Sequence, residues 1–169
     1  MELAFHTTDV FTNHPFGGAQ VAVFPVADGL EPEQMQQIAS EMNLSETLFV
    51  LSTDTPQQRR VRIFTPDREV DFAGHTVLAA GHVLGSIGAI PLQAGDTRPD
   101  LLHNFGPVEV HLTVSQSQPN FVQFTHTVHP VVDRFVPTDE ELAAILSLER
   151  RAIGLDKFRP LLVSCDHPY

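Results

Sequence analysis

The chain has 169 residues, a formal net charge of −11, 42% hydrophobic residues and 18% charged ones. That balance suits one large globular domain, or one domain with part of another, and the acidity argues against a nucleic-acid partner or an anionic membrane surface. A single cysteine, Cys165, excludes an intrachain disulfide and makes a reducing, cytoplasmic setting the expectation.

Met1-Glu2-Leu3 carries no basic and apolar leader pattern, so no secretory signal is expected. Leu3 to Phe11 is β-prone and predicts a first strand. Thr12 to Gly18 (TNHPFGG) is turn-rich, and Gln20 to Phe24 is a second strand that stops at Pro25. After the Asp28-Gly29 turn, Pro32 fits a first helical position. Met35, Ile38, Ala39 and Met42 then recur at i, i+3, i+4 and i+7, the pattern of a one-faced helix. Asn43-Leu44-Ser45-Glu46-Thr47 separates that helix from the apolar run Leu48 to Leu51. Arg60 to Phe64 alternates as a half-buried strand.

Asp71-Phe72-Ala73-Gly74-His75 leads into a second helix, Thr76 to Leu84, which is apolar on nearly every side and so reads as a core helix. Ala79, Ala80 and Gly81 are small enough for other elements to approach closely. The apolar stretch Val77 to Ile90 is broken by His82, Ser86 and glycines, and is too short to span a bilayer. Residues 91 to 106 read as loop. Val108, Val110, Leu112 and Val114 alternate with polar residues as a strand, with Pro119 to Thr127 as its hairpin partner. Thr138-Asp139-Glu140-Glu141 is a capping box. It opens a helix to about Arg151, and Arg159 to Ser164 is a last strand. The element order is α+β.

Glu46 stands at the lip of a strand that reads as buried, where an unpaired charge costs several kcal/mol. It is therefore either an anchored structural acid or a tuned catalytic one. Gly74 and His75 fall at the start of the second helix, where free N–H groups and the positive end of the helix dipole suit a carboxylate or a developing oxyanion. Equally, Gly74 is a turn residue and His75 a satisfied helix-start histidine. Asp71, four residues ahead of His75, could orient it or serve a turn. Ser45 lacks the Gly-x-Ser-x-Gly surroundings of a nucleophile and reads as a cap or a ligand hydrogen bond. The histidines show no HxxxH or HxH spacing, so no metal is expected. Gly17-Gly18 is no phosphate loop. Cys165 has no cysteine partner, which argues against a two-thiol racemase and leaves it a small strand residue.

Three stretches together resemble one family. They are Asp9-Val10-Phe11-Thr12 with Pro15-Phe16-Gly17, Met35-Gln36 with Ile38 through Thr47, and Arg62 through Pro66 with Phe72 through His75. In identity, order and spacing they are similar to the phenazine-biosynthesis PhzF-like proteins, strongly over about residues 5 to 85 and loosely over 105 to 169. The resemblance implies a diaminopimelate-epimerase-like fold, in which two lobes each wrap a mixed sheet around a central helix and share a cleft. It also implies isomerase chemistry with no metal or organic cofactor. The glutamate matching Glu46 is the acid/base that moves a proton on a small carboxylic or amino-acid-like substrate, as in trans-2,3-dihydro-3-hydroxyanthranilate isomerisation. Gly74 and His75 match a pair that lines the substrate pocket, with Ser45, Asp71 and Thr76 around it.

The chain departs from the family at Gly18-Ala19-Gln20, where relatives often carry Gly-Asn, and at Thr76-Val77 after the Gly-His pair. A loop like Asp-Pro-Ala-Thr-Gly-Ser, expected from a second lobe, has no counterpart. The expected domains are a first lobe over residues 1–128, then a linker, helix and strand over 129–169 that begin an incomplete second lobe. The expectation is accordingly a fragment or a natural short form, with its cleft closed by a homodimer or by a missing second lobe. The function expected is a small-acid isomerase. The alternative is a non-catalytic binding or assembly lobe, and hydrolysis through Ser45 is a distant third.

Overall fold

A computed structural model describes residues 2–116, 118–127, 130–133, 135–154 and 158–164. Cys165 lies outside them. The chain divides into two compact units, Met1–Thr125 and His126–Tyr169.

In the first unit, β1 (His6–Val10) and β2 (Ala19–Phe24) form an antiparallel pair. Helix α1 (Pro32–Met42) follows, with Pro32 in its first turn and Glu31 and Gln34 closing a capping box. Asn43 ends it in the left-handed region at φ 51°, donating its N–H to Ala39 O. The chain then enters β3 (Thr47–Leu51), which lies parallel to β2 because α1 serves as the crossover. β4 (Gln58–Phe64) returns antiparallel to β3 and pairs with the two-residue β5 (Glu69–Val70). Helix α2 (Gly74–Ser86) is the second crossover. It is followed by β6 (Gly95–Thr97), β7 (Asp100–His103), β8 (Gly106–Ser115) and β9 (Gln118–Phe124). β7 runs parallel to β4, and β8 pairs with β6, β7 and β9.

The outcome is one mixed nine-stranded sheet among the described residues, in the order β1-β2-β3-β4-β7-β8-β6, with β5 on β4 and β9 on β8. Period-2 alternation sorts its side chains onto two faces. Val21, Val23, Leu48, Val50, Val61 and Ile63 face α2, together with Leu101, Val110 and Leu112. Ala22, Phe24, Phe49 and Phe64 face α1 and its buried Met35 and Ala39. On that second face Phe5, Phe24, Phe49 and Phe64 form a run of aromatic contacts at 5.4, 4.9 and 5.5 Å between centroids. Each pair adds about 0.5–1.5 kcal/mol beyond simple burial. The sheet curls around α2, whose Val77, Ala80 and Leu84 are fully buried. This is the expected α+β lobe, a mixed sheet wrapped around a central helix.

Residues 91 to 106, read as loop from the sequence, hold β6 and β7. These strands are three and four residues long, too short for a period-2 signal to stand out among the prolines and glycine around them. β5 escapes for the same reason. The second helix begins two residues earlier than expected, at Gly74.

The second unit holds β10 (Val131–Val132), paired antiparallel with β11 (Val163–Ser164), and helix α3 (Asp139–Leu146). The capping box is as read: Thr138 Oγ1 accepts from Glu141 N–H, and Glu141 accepts from Thr138 N–H. The helix stops short of Arg151. Ser147 turns left-handed at φ 56°, and Arg150–Ala152 form a separate 3-10 turn. Among the described residues, the final strand is confined to Val163–Ser164. Val131, Phe135, Ile145 and Leu161 are all more than half exposed. No helix among the described residues is long and apolar enough to cross a membrane.

Candidate active site

Two independently built elements deliver the candidate site. The first is the start of β3. Because Leu48 and Val50 face α2, Glu46 projects to that same side. The second is the first turn of α2. Gly74 and His75 open the helix, and Ala73 at the N-cap offers no side-chain acceptor to its first-turn amides. At this junction Glu46 Oε2 approaches His75 Nε2 to 2.7 Å, with about one fifth of each side chain exposed.

Both atoms are shut off from solvent, yet neither has a hydrogen-bond partner among the described residues. The contact is close without being aligned as a hydrogen bond. A buried donor or acceptor left in that state costs about 1–3 kcal/mol. A group held at that cost is a candidate for a functional contact.

The other expected residues divide. Ser45 is exposed beside Glu46. Thr76 is fully buried, and its hydroxyl donates to Ala73 O at 2.7 Å, so it braces the helix start. The carboxylate against His75 is that of Glu46. Asp71 is exposed and meets Asn104 Nδ2 at 3.5 Å. Asn104 also reaches Glu69, which accepts a bidentate pair from Arg62 at 2.6 and 2.7 Å. That hydrogen bond holds the Glu69 carboxyl below its ordinary range, against the opposing effect of burial. Among the described residues, no three His, Cys, Asp or Glu side chains gather as metal ligands would.

The Asp9 and Phe16 motif positions have a local purpose. Asp9 Oδ2 accepts from Phe16 N–H at 2.5 Å and closes the loop between β1 and β2. Phe11 and Phe16 both adopt positive φ, 62° and 63°, and Phe16 is 97% exposed. Gly18 is obligatory here, since a Cβ would overlap the Val10 carbonyl. A groove of about 910 Å³ runs beside this loop, lined among others by Thr8, Asp9, Leu78, His82 and Phe121. Glu46 and His75 do not line it, so chemistry rather than volume locates the candidate site.

Sequence reading missed the aromatic wall over the helix start. Phe72 stands edge-to-face with His103, Phe105 and Phe124 at 5.4, 5.2 and 5.9 Å. A Cβ placed on Gly74 would lie 3.1 Å from Phe124 Cζ. Only the aromatic residues near position 124 hinted at it; their distance in sequence from residue 74 hid the contact.

The first unit is thus a curled mixed sheet around a central helix, with an acid and an imidazole meeting at the helix start. The profile of the family described as phenazine biosynthesis-like protein matches residues 8–166, and the chain belongs to that family. An uncharacterised isomerase of Pasteurella multocida is 42% identical over 132 residues, covering 72% of this chain and 45% of its own length. The trans-2,3-dihydro-3-hydroxyanthranilate isomerase of Pseudomonas fluorescens is 50% identical over 78 residues, which is 46% of this chain and 28% of that protein. Among solved structures, a PhzF-family phenazine biosynthesis protein of Bacillus anthracis superposes with a TM-score of 0.76 at 29% identity, covering 91% of this chain and 50% of that one. The chain spans about half the length of the curated relatives it matches over most of its residues.

Proposed function

We propose that the chain carries the acid/base half of a cofactor-independent isomerase acting on a small carboxylic or amino-acid-like substrate. Trans-2,3-dihydro-3-hydroxyanthranilate is the first substrate to test, being named in a relative 50% identical over 78 residues of this chain. The observation that carries the proposal is the 2.7 Å approach of Glu46 Oε2 to His75 Nε2, both shielded and both without hydrogen bonds, at an uncapped helix start.

Carbon acids beside a carboxylate are weak, so their isomerisation needs a positioned base and a place for developing charge. Glu46 takes the proton as the carbon–hydrogen bond breaks, and the electron pair moves into the adjacent unsaturated system. The first-turn amides of α2 and His75 face the charge that develops. Glu46 then returns the proton to a different carbon, so atoms and electrons balance with no oxidant. Ser45 contributes a hydrogen bond to the substrate, while Asp71 and Thr76 hold the entry to α2. Closure of the cleft by a homodimer or by a second lobe, and a cytoplasmic setting, belong to the same proposal; the lone cysteine supports the setting.

Substrate-dependent deuterium uptake from D2O tests it. Glu46→Gln is expected to abolish uptake, and uptake at the wild-type rate in that variant rejects Glu46 as the proton carrier.

A second reading, a non-catalytic assembly lobe, is favoured by the exposed apolar residues of the second unit, among them Val131, Phe135, Ile145 and Leu161. Light scattering with an intact mass separates the two. An obligate dimer or a longer natural product supports the enzyme, and a stable 18.7 kDa monomer without turnover supports the module.

A further inference from the structure

We infer that Phe124 is a positioning residue: from β9 it fixes the first turn of α2 and thereby the approach of His75 to Glu46. The role assigned to that approach rests on the proposed function.

Glycine at position 74 has no conformational reason. Its φ is not among the positive values, and glycine in a helix costs about 0.5–1 kcal/mol relative to alanine. What an alanine lacks is room. A Cβ there would meet Phe124 Cζ at 3.1 Å and Cε1 at 3.7 Å, and Phe72 Cε1 at 3.9 Å. The same face of the helix repeats the device. A Cβ on Gly81 would meet Val122 at 2.9 Å, and one on Gly85 would meet Pro119 at 3.1 Å. Positions 74, 81 and 85 fall within about 40° of one another on a helix of 3.6 residues per turn.

β9 follows the same stretch of the helix. From Gly74 to Gly85 the helix rises about 16.5 Å at 1.5 Å per residue. From Phe124 back to Pro119, β9 takes five steps against the four from Val110 to Val114 on β8, because a bulge lies between them, and so covers about 13 Å at 3.3 Å per residue. β9 therefore lies along α2 with a close approach at each end, leaving little room for the helix to shift toward it.

Phe124 is held in turn. Phe72 meets its ring at 77°, and β8 pairs Val110 with it. On the opposite side of the site, Glu46 immediately precedes β3, which is fixed between β2 and β4. The gap between carboxylate and imidazole is thus set by where β9 seats the helix.

The test reads the site without and with turnover. Without substrate, the His75 ring resonances are followed by NMR, and the change caused by Glu46→Gln measures their coupling. Gly74→Ala is expected to erase that change and to lower deuterium uptake about tenfold, the scale of a displacement of a few tenths of an ångström. Adding Phe124→Leu, which removes Cζ, is expected to restore both. If Gly74→Ala does not fold, Phe124→Tyr serves alone. It places an oxygen on Cζ, against Gly74, and is expected to reproduce the loss. Unaltered His75 coupling in Gly74→Ala or Phe124→Tyr, or a double variant no better than Gly74→Ala, overturns the inference. Expected NMR behaviour with no uptake in any variant, wild type included, rejects the proposed function and leaves the positioning role standing.

Discussion

Glu46 Oε2 and His75 Nε2 lie 2.7 Å apart at the meeting of a strand start and a helix start, and neither is bound to anything else among the described residues. Chemistry and stability are therefore separable at this pair. Glu46→Gln removes the charge but keeps the shape. It is expected to lower proton transfer by about 10²–10⁴-fold, the usual worth of a positioned acid/base. The melting temperature is expected to stay unchanged or rise, because no aligned hydrogen bond is lost. A steep fall in melting temperature, measured by circular dichroism, would reassign Glu46 to the scaffold.

The Arg62–Glu69 pair gives a pH signature. Its bidentate hydrogen bond lowers the Glu69 carboxyl from an ordinary value near 4.5. A carboxyl depressed on folding contributes stability that is complete above its unfolded value and is lost as pH falls through the folded one. Glu69→Gln is expected to cost about 1 kcal/mol near neutrality, as partly exposed bidentate pairs do. The difference from wild type should be flat above about pH 4.5 and shrink below it. Urea melts across that range check the sign; a difference that grows in acid contradicts it.

Gly81→Ala sets two effects against each other. Alanine favours the helix by up to about 1 kcal/mol. Its methyl would stand 2.9, 3.0 and 3.2 Å from Val122, Val110 and Leu112, and overpacking of that kind costs about 1–3 kcal/mol. Packing wins, so the urea midpoint should fall with the slope unchanged. Val122→Ala in the same background should recover part of the loss, and a midpoint that rises instead would mean that β9 yields freely.

Asp9 ties Phe16 N–H across an exposed loop. Asp9→Ala is expected to speed amide exchange at Phe16 by about tenfold, the equivalent of about 1.4 kcal/mol of local stability. Global stability should barely move. Unchanged protection at Phe16 would show that the loop is held by other contacts.

The candidate site was largely legible in the chain. Glu46 stood out because a carboxylate beside Leu48 to Leu51 must be paired or used. Gly74 and His75 stood out because they precede an all-apolar helix. The one-faced pattern of Met35, Ile38, Ala39 and Met42 was enough to place α1, and the Thr138–Glu141 box was enough to start α3. These are local signals, carried by residues within a few turns of one another.

What the tertiary structure decided is of longer range. β6 and β7 exist because β4 and β8 offer them edges, not because three or four residues prefer to be strands. Asp71 sits closer in sequence to His75 than Glu46 does, yet folding sends it to Asn104 and brings in the acid from β3. The close approach of Phe124 to Gly74 spans fifty residues and depends on how β9 is seated against α2. Local preference can raise an acid and an imidazole as candidates. Only packing, which fixes helix against strand to within a few tenths of an ångström, determines that they meet.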